Sequence, residues 1–264
     1  MKGELYIIST PIGNLEDITV RAIRILKEVK LIIAEDTRTA KKLLSLLNIP
    51  FKEKTFISYY KGKESEKIEY LLNKIKEYEK AGLISEAGTP LISDPGFNLI
   101  KRAKENGIKI IAVPGATALI SALTISGIDS DSFLFLGFLK RGEQKLKRDL
   151  RRVLGLPYTI IFYESPKRLE KTLSILKELI PLRRISVARE LTKKFEETID
   201  GTVKEVFDKI KNRTIKGEIT IVVEGNKESK INPKSREELI DLIRSITTLS
   251  DKKIEKLITK KYFQ

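Results

Sequence analysis

The chain of 264 residues contains 0 Cys and 0 His. Those two absences exclude disulfides, iron–sulfur clusters, Cys/His zinc sites, a cysteine nucleophile and any histidine general base. Chemistry must fall to carboxylates, Lys, Arg, Tyr, hydroxyls, backbone amides or a bound cofactor. Long apolar runs are missing too, and none approaches the roughly 20 residues of a membrane span. Met1-Lys2-Gly3-Glu4-Leu5-Tyr6 leads straight into strand-like sequence, without the basic and apolar regions of a signal peptide. The expectation is a soluble, cytoplasmic protein that folds without metal or disulfide staples.

What the chain has in excess is positive charge. Its 51 Lys+Arg against 36 Asp+Glu give a formal net charge of +15. Cations set against phosphates release counterions, so this balance suits a polyanion partner. The competing reading is a solvated, Lys-rich surface.

Strand-like and helix-like segments alternate. Leu5–Ser9, Leu31–Ala34, Phe56–Tyr59, Gly82–Ser85 and Ile108–Val113 read as short apolar strands. Between them lie helical patterns: one after Thr19 through Val29, one capped by Asp36 or Thr37 and running to Leu47, then Glu64–Lys80 and Asn98–Asn106. A second series follows, with helices at Ala116–Ile125, Glu143–Val153, Pro166–Leu179 and Val203–Lys211. Its strands are expected at Phe133–Phe138, Tyr158–Tyr163, Ile185–Arg189, Phe195–Thr202 and Glu218–Val223. The fold class expected is two-domain α/β, mostly parallel in the first domain with a mixed sheet in the second. The boundaries expected are 1–114 for the first domain, 115–226 for the second and 227–264 for a basic helical tail.

Ligands of open parallel sheets gather at the carboxyl ends of the strands. Four loops there are rich in Gly, Pro, Ser and Thr: Ser9–Asn14, Ala34–Arg38, Ser85–Gly96 and Val113–Ala118. Such residues bring backbone close to a ligand and offer amide and hydroxyl contacts. Any one of them alone reads equally as a turn. Neither GxxxxGK[ST] nor GxGxxG after the first strand is present, so a pyrophosphate-bearing cofactor and hydride transfer are not indicated. A cofactor without phosphate fits a mostly apolar crevice better.

Five motifs occur in order: Thr10-Pro11-Ile12-Gly13-Asn14-Leu15, Ala34-Glu35-Asp36-Thr37-Arg38, Ala87-Gly88-Thr89-Pro90-Leu91-Ile92-Ser93-Asp94-Pro95-Gly96, Phe162-Tyr163-Glu164-Ser165 and Ala188-Arg189-Glu190-Leu191-Thr192-Lys193. Over residues 4 to about 225 the chain resembles the tetrapyrrole-methylase family, and within it the ribosomal RNA small-subunit (cytidine-2′-O)-methyltransferases. The resemblance implies a homodimer that binds S-adenosyl-L-methionine in a cleft between its two domains. It places Pro11 at the first cofactor loop, and Gly88, Thr89, Pro90, Ile92 and Ser93 around the methionine and sulfonium end. Thr117 and Ala118 would follow the fourth loop, and Tyr163, Ala188 and Arg189 would close the adenosine side. The chain departs from the family's common pattern at Glu86, Thr39 and Lys140, where Asp, His and Pro are usual.

A ribose 2′-hydroxyl needs alignment with the methyl donor and a proton acceptor. The candidates are Glu35, Asp36 and Glu190, with Arg38 or Arg189 stabilising charge or holding phosphate. Each has a structural alternative: Asp36 as a helix cap, Glu35 paired with Arg38, Glu190 paired with Lys193. RNA contact is expected on residues 140–152, where Lys140, Arg141, Lys145, Lys147, Arg148, Arg151 and Arg152 face two acids, Glu143 and Asp149. Arg183-Arg184 and Lys193-Lys194 add charge, and Tyr59, Tyr60 and Tyr163 are candidates for base stacking. The partner implied is ribosomal RNA within the small subunit. A tetrapyrrole-type small-molecule methylase and a non-catalytic RNA-binding protein of the same fold remain as alternatives. Methylation of a base carbon through a covalent cysteine adduct is excluded.

Overall fold

In the computed structural model, residues 3–60, 62, 64–227, 240–241 and 243–244 are described. The tail expected at 227–264 therefore lies almost wholly outside the described residues. The chain divides into two compact units, Met1–Ala122 with Arg189–Glu197 and Leu123–Ala188 with Thr198–Gln264. The first boundary thus falls inside a helix rather than at residues 114–115. The segment Arg189–Glu197, expected in the second domain, groups with the first.

The first unit runs β1 (Glu4–Ile8), a 3-10 turn (Leu15–Asp17), α1 (Val20–Glu28), β2 (Leu31–Ala34), α2 (Thr37–Leu46), β3 (Thr55–Ser58), α3 (Glu64–Tyr78), β4 (Lys80–Ile84), α4 (Phe97–Glu105), β5 (Lys109–Val113) and α5 (Ala118–Ile125), whose end crosses into the second unit. Its sheet has the order β3-β2-β4-β1-β5, and every pairing is parallel. All four residues of β2, Leu-Ile-Ile-Ala, are buried. Such a run marks a strand covered on both faces. Leu31 and Ile33 point into one core with Leu71, Leu72 and Ile75 of α3 and Leu99 and Ala103 of α4. Ile32 and Ala34 point into the other, with Ala22, Ile25 and Leu26 of α1 and Ala40 and Leu44 of α2.

Local chemistry starts these helices where the sequence allows it. Thr19 Oγ1 accepts the Ala22 amide at the head of α1, and Asp36 Oδ1 accepts the Arg38 amide at the head of α2. A side-chain cap of this kind typically adds about 1 kcal/mol.

The second unit runs β6 (Phe133–Phe138), α6 (Glu143–Leu154), β7 (Thr159–Glu164), α7 (Pro166–Leu179), β8 (Arg184–Arg189), β9 (Glu197–Thr202), α8 (Val203–Ile210) and β10 (Ile219–Val223). The sheet order is β6-β7-β10-β8-β9, with β6 parallel and β10 antiparallel to β7, a mixed sheet as expected. One core joins Leu146, Leu150 and Leu154 of α6 with Leu169, Leu173 and Leu176 of α7, Val203 and Val206 of α8, and Ile160 and Phe162 of β7. The 4-residue spacing along α6 puts its leucines on one stripe and leaves its cations on the other. Strand β9 begins at Glu197 rather than Phe195. Thr192 takes a left-handed φ of +65° in the preceding loop, and Phe195 is 66% exposed.

Candidate functional site

Helices α1 and α4 follow the neighbouring strands β1 and β4 but pack on opposite faces of the sheet. The loops leaving those strands diverge, which opens a crevice at the carboxyl edge of the sheet. That edge gathers three of the four loops singled out in the sequence. Thr10 and Gly88 exchange backbone hydrogen bonds, Thr10 N to Gly88 O at 2.8 Å and Gly88 N to Thr10 O at 3.1 Å. The hydroxyls of Ser9 and Thr89 lie 2.9 Å apart, and Thr89 Oγ1 donates to Ala116 O at 3.1 Å. Gly115 passes so near Ser9 that a Cβ there would sit 2.9 Å from the serine Cβ. Pro11, Gly88, Thr89 and the start of the Thr117–Ala118 turn are thereby brought into one cluster.

The Ser85–Gly96 loop is strained. Leu91 and Ser93 hold φ values of +73° and +70°, at a cost on the order of 1–3 kcal/mol each for non-glycine residues. Such conformations persist where neighbours over-determine them: Pro90 is buried, and Ile92 N donates to Thr89 O at 3.3 Å. Ile92 is half-buried and Ser93 exposed.

Carboxylates collect beside this loop. Asp36 caps α2 and is gripped by Arg38, whose Nε lies 3.1 Å from both carboxylate oxygens and whose Nη2 lies 2.5 Å from Oδ2. The Arg38 side chain first, and then its backbone amide, holds the Asp36 carboxyl at about 2. Arg38 therefore pairs with Asp36, where the sequence reading had set it against Glu35. Glu35 lines a small cavity together with Tyr59, Ser85, Pro90, Asp94 and Pro95. Burial raises the Asp94 carboxyl above its ordinary value, the Ser85 hydroxyl opposes that shift, and the charge of Glu86 adds to it. Asp94 stands inside a quoted motif and is half-buried, which nothing in the sequence marked.

The loop from β8 to β9 completes the first unit. Arg189 Nε bonds Glu197 Oε2 at 2.7 Å, and Lys193 Nζ lies 2.9 Å from Glu190 Oε1. Glu190 thus holds its structural alternative, at a φ of +50°. Lys193 and Lys194 belong to this unit and not to the one that carries α6, with whose charge they were grouped.

In the second unit, Tyr163 packs edge-on against Phe135 and Phe138, with ring centroids 5.0 and 5.5 Å away. Ala188 is fully buried, so only its backbone is offered. Tyr59, at 1% exposure, is a core residue and cannot stack on a base, whereas Tyr60 is exposed beneath Lys67. Arg183 is spent on the Leu154 carbonyl.

The basic helix is the contrasting case. Lys147 pairs with Glu178, and Lys140 stands 3.6 Å from Asp149 with Arg148 at 3.9 Å. Arg141, Lys145, Arg151 and Arg152 are exposed and form no ion pair among the described residues. Among the described residues no group of three or more Asp or Glu is arranged to hold a metal ion, and no helix is long and apolar enough to cross a membrane.

The fold of this chain, a parallel sheet followed by a mixed one, is shared with several solved proteins, methyltransferases among them. Uroporphyrin-III C-methyl transferase from Thermus thermophilus, complexed with S-adenyl homocysteine, superposes with a TM-score of 0.60 at 20% identity, covering 83% of this chain and 97% of that one. A diphthine synthase does so with a TM-score of 0.64 at 11% identity, covering 84% and 90%. The family model of the tetrapyrrole (corrin/porphyrin) methylases matches residues 4–206, and the chain belongs to that family. Its relatives include proteins named ribosomal RNA small subunit methyltransferase I. That of Hydrogenobaculum sp. is 46% identical over 223 residues, covering 83% of this chain and 95% of its own. That of Halalkalibacterium halodurans is 44% identical over 232 residues (88% and 79%), and that of Rickettsia prowazekii 40% over 262 residues (99% and 92%).

Proposed function

We propose that this protein transfers the methyl group of S-adenosyl-L-methionine to the 2′-hydroxyl of a cytidine in small-subunit ribosomal RNA. One observation carries the reading: relatives named for methylation of small-subunit ribosomal RNA share 40–46% identity with it over most of both chains. The four exposed cations of the α6 segment that form no ion pair among the described residues support the same substrate, because phosphate contact is what such cations supply.

The residues of the first unit fit the methyl donor. Gly88, at a φ of +76°, keeps its backbone open where a Cβ would come within 3.3 Å of Ile12. Around it stand hydroxyls and backbone groups rather than a phosphate cradle. Pro11, Gly88, Thr89, Pro90, Ile92 and Ser93 would hold the donor on this edge, with Thr117 and Ala118 at the fourth loop. Tyr163, Ala188 and Arg189 are retained as adenosine-side contacts. When bound, the donor supplies a methyl on a positive sulfonium, and that charge is lost on transfer.

Among the carboxylates of the loop cluster, Asp94 is the one we assign to take the hydroxyl proton. A general base works best with a pKa near the working pH. Burial moves Asp94 towards that range, whereas the Arg38 grip holds Asp36 far below it. Glu35 lines the same small cavity as Asp94, and the charge of Glu86 adds to the upward shift of Asp94. Glu190 and Arg189 serve to shape their loop, and Arg38 to keep Asp36 ionised. A homodimer is inferred as well: Ile120 and Ile125 of α5 are 41% and 46% exposed, which leaves apolar surface for a second copy.

The chemistry has a direct assay. A 2′-O-methyl group blocks the alkaline cleavage of its 3′ phosphodiester, so RNA labelled from methyl-tritiated donor yields an alkali-resistant labelled dinucleotide. Label released as a mononucleotide places the methyl on a base and overturns the reading.

A further inference from the structure

We propose that Arg168 is a positioning residue for RNA binding, which holds the turn bearing Lys140 and Arg141 by gripping that turn's backbone. The inference rests on the reading above that these two cations contact RNA. Arg168 lies in the first turns of α7, with its side chain 26% exposed. Its Nη1 donates to Leu139 O at 2.9 Å and its Nη2 to Lys140 O at 3.1 Å. Strand β6 ends at Phe138, so both carbonyls have left the ladder and need a partner. The turn then passes through Gly142, at a φ of +95°, into the basic helix α6.

The grip has its own anchor. Arg168 Nε stands 3.5 Å from Glu164 Oε1, and the Glu164 side chain is fully buried at the end of β7. That carboxylate also accepts the Ser165 amide and the Thr172 hydroxyl, each at 2.7 Å. A chain of bonds therefore runs from the core, through a planar guanidinium, to two successive carbonyls of a turn that leaves the core at the buried Leu139 and is exposed from Lys140 to Gly142. Only the rigid fork of an arginine reaches a carboxylate and two carbonyls together; an ammonium keeps the charge but not the span. Lys140 is 70% exposed, with its ammonium 3.6 Å from Asp149, so the turn beneath it is fixed while its side chain still faces solvent. Pre-fixing the backbone lowers the ordering cost of binding.

The test is steady-state methylation of small ribosomal subunits by the full chain carrying Arg168→Gln, Arg168→Lys, Lys140→Ala/Arg141→Ala and their combination. Both Arg168 variants are expected to raise the KM for RNA about 5- to 10-fold, with kcat and donor affinity changed less than about twofold. The combination of Arg168→Gln with the double alanine variant should be no worse than the double alanine variant alone, because positioning acts through those side chains. If Arg168→Lys keeps the wild-type KM, Arg168 meets RNA by its charge and the inference fails. Additive losses overturn it too. Thr172→Val, which loosens Glu164 without touching Arg168, covers the case in which the arginine variants do not fold, and should raise KM about two- to threefold; an unchanged KM there counts against the grip. A double alanine variant with unchanged KM removes the underlying RNA-contact reading. A raised KM in that variant, with Arg168 variants unaffected, overturns the positioning role alone.

Discussion

The backbone amide of Asn14 donates to the Thr192 hydroxyl at 3.0 Å, across a separation of 178 residues in sequence. This bond ties the loop after β1 to the loop between β8 and β9. Thr192 makes it from a φ of +65°, a region that β-branched residues avoid. Gly13 lets the loops meet: a Cβ there would stand 2.4 Å from Lys193 Cγ, 2.8 Å from Thr192 Oγ1 and 3.0 Å from Leu191 O. The lysine can swing away, but the backbone carbonyl cannot. Gly13→Ala is expected to destabilise the protein by about 1–3 kcal/mol, the usual cost of overpacking. It should also weaken donor binding, since the neighbouring Thr10 belongs to the crevice. Thermal unfolding and calorimetric titration of S-adenosylmethionine check both. A variant with wild-type melting and affinity would show that the two loops move apart at no cost.

Asp94→Asn separates activity from stability. As a proton acceptor Asp94 is worth about 10²- to 10⁴-fold in rate, so kcat should fall by that order while donor affinity holds. Its raised carboxyl means that the folded state binds more protons than the unfolded state between the ordinary Asp value and the raised one. Stability therefore declines as pH rises through that window, and the wild type carries the penalty at neutral pH. The asparagine variant removes it and should melt higher than the wild type at pH 7 but not at pH 3. In the wild type, kcat should climb with pH through the raised pKa and then level.

Asp36→Asn gives the opposite pattern. The Arg38 grip holds the Asp36 carboxyl at about 2, below its ordinary 3.8. Its contribution is then present above pH 4 and is lost as pH falls towards 2. The variant should lose part of the acid-dependent fall in stability seen in the wild type. Near neutral pH it should keep kcat within about tenfold, because a carboxyl so low is a weak base. A loss as deep as that of Asp94→Asn would assign the proton to Asp36 instead.

Charge reversal on α6 tests the RNA surface. Lys145→Glu/Arg148→Glu should raise the KM for RNA and flatten its salt dependence by about one to two in log–log slope, since fewer counterions are released. Donor affinity should stay unchanged. Equal loss of donor binding would place these residues in the wrong site.

The first sheet was legible because β2 is apolar throughout and β4 from Ala81 onward, and its loops because Gly, Pro and Thr cluster where strands stop. Those signals are local. The pairing of Arg38 with Asp36 rather than Glu35 depends on the helix cap, which turns the Asp36 carboxylate towards the arginine. Tyr59 read as a stacking candidate because an aromatic beside a loop looks alike in sequence whether it faces solvent or core. The half-burial of Asp94 and the grip of Arg168 were illegible for a shared reason. Each depends on how the chain folds back on itself: Asp94 lines a cavity with Glu35 and Tyr59, and Arg168 meets the Leu139 and Lys140 carbonyls. The grouping of Arg189–Glu197 with the first unit is likewise tertiary, carried by contacts such as Asn14 with Thr192.

The most direct measurement is label transfer from methyl-tritiated S-adenosylmethionine to small ribosomal subunits lacking ribose methylation, with free ribosomal RNA in parallel and the product mapped by mass spectrometry of the digested RNA. The account predicts one methyl on the ribose of a cytidine in small-subunit RNA. A methyl on a base, or no transfer to either RNA from a protein that still binds the donor, would contradict it.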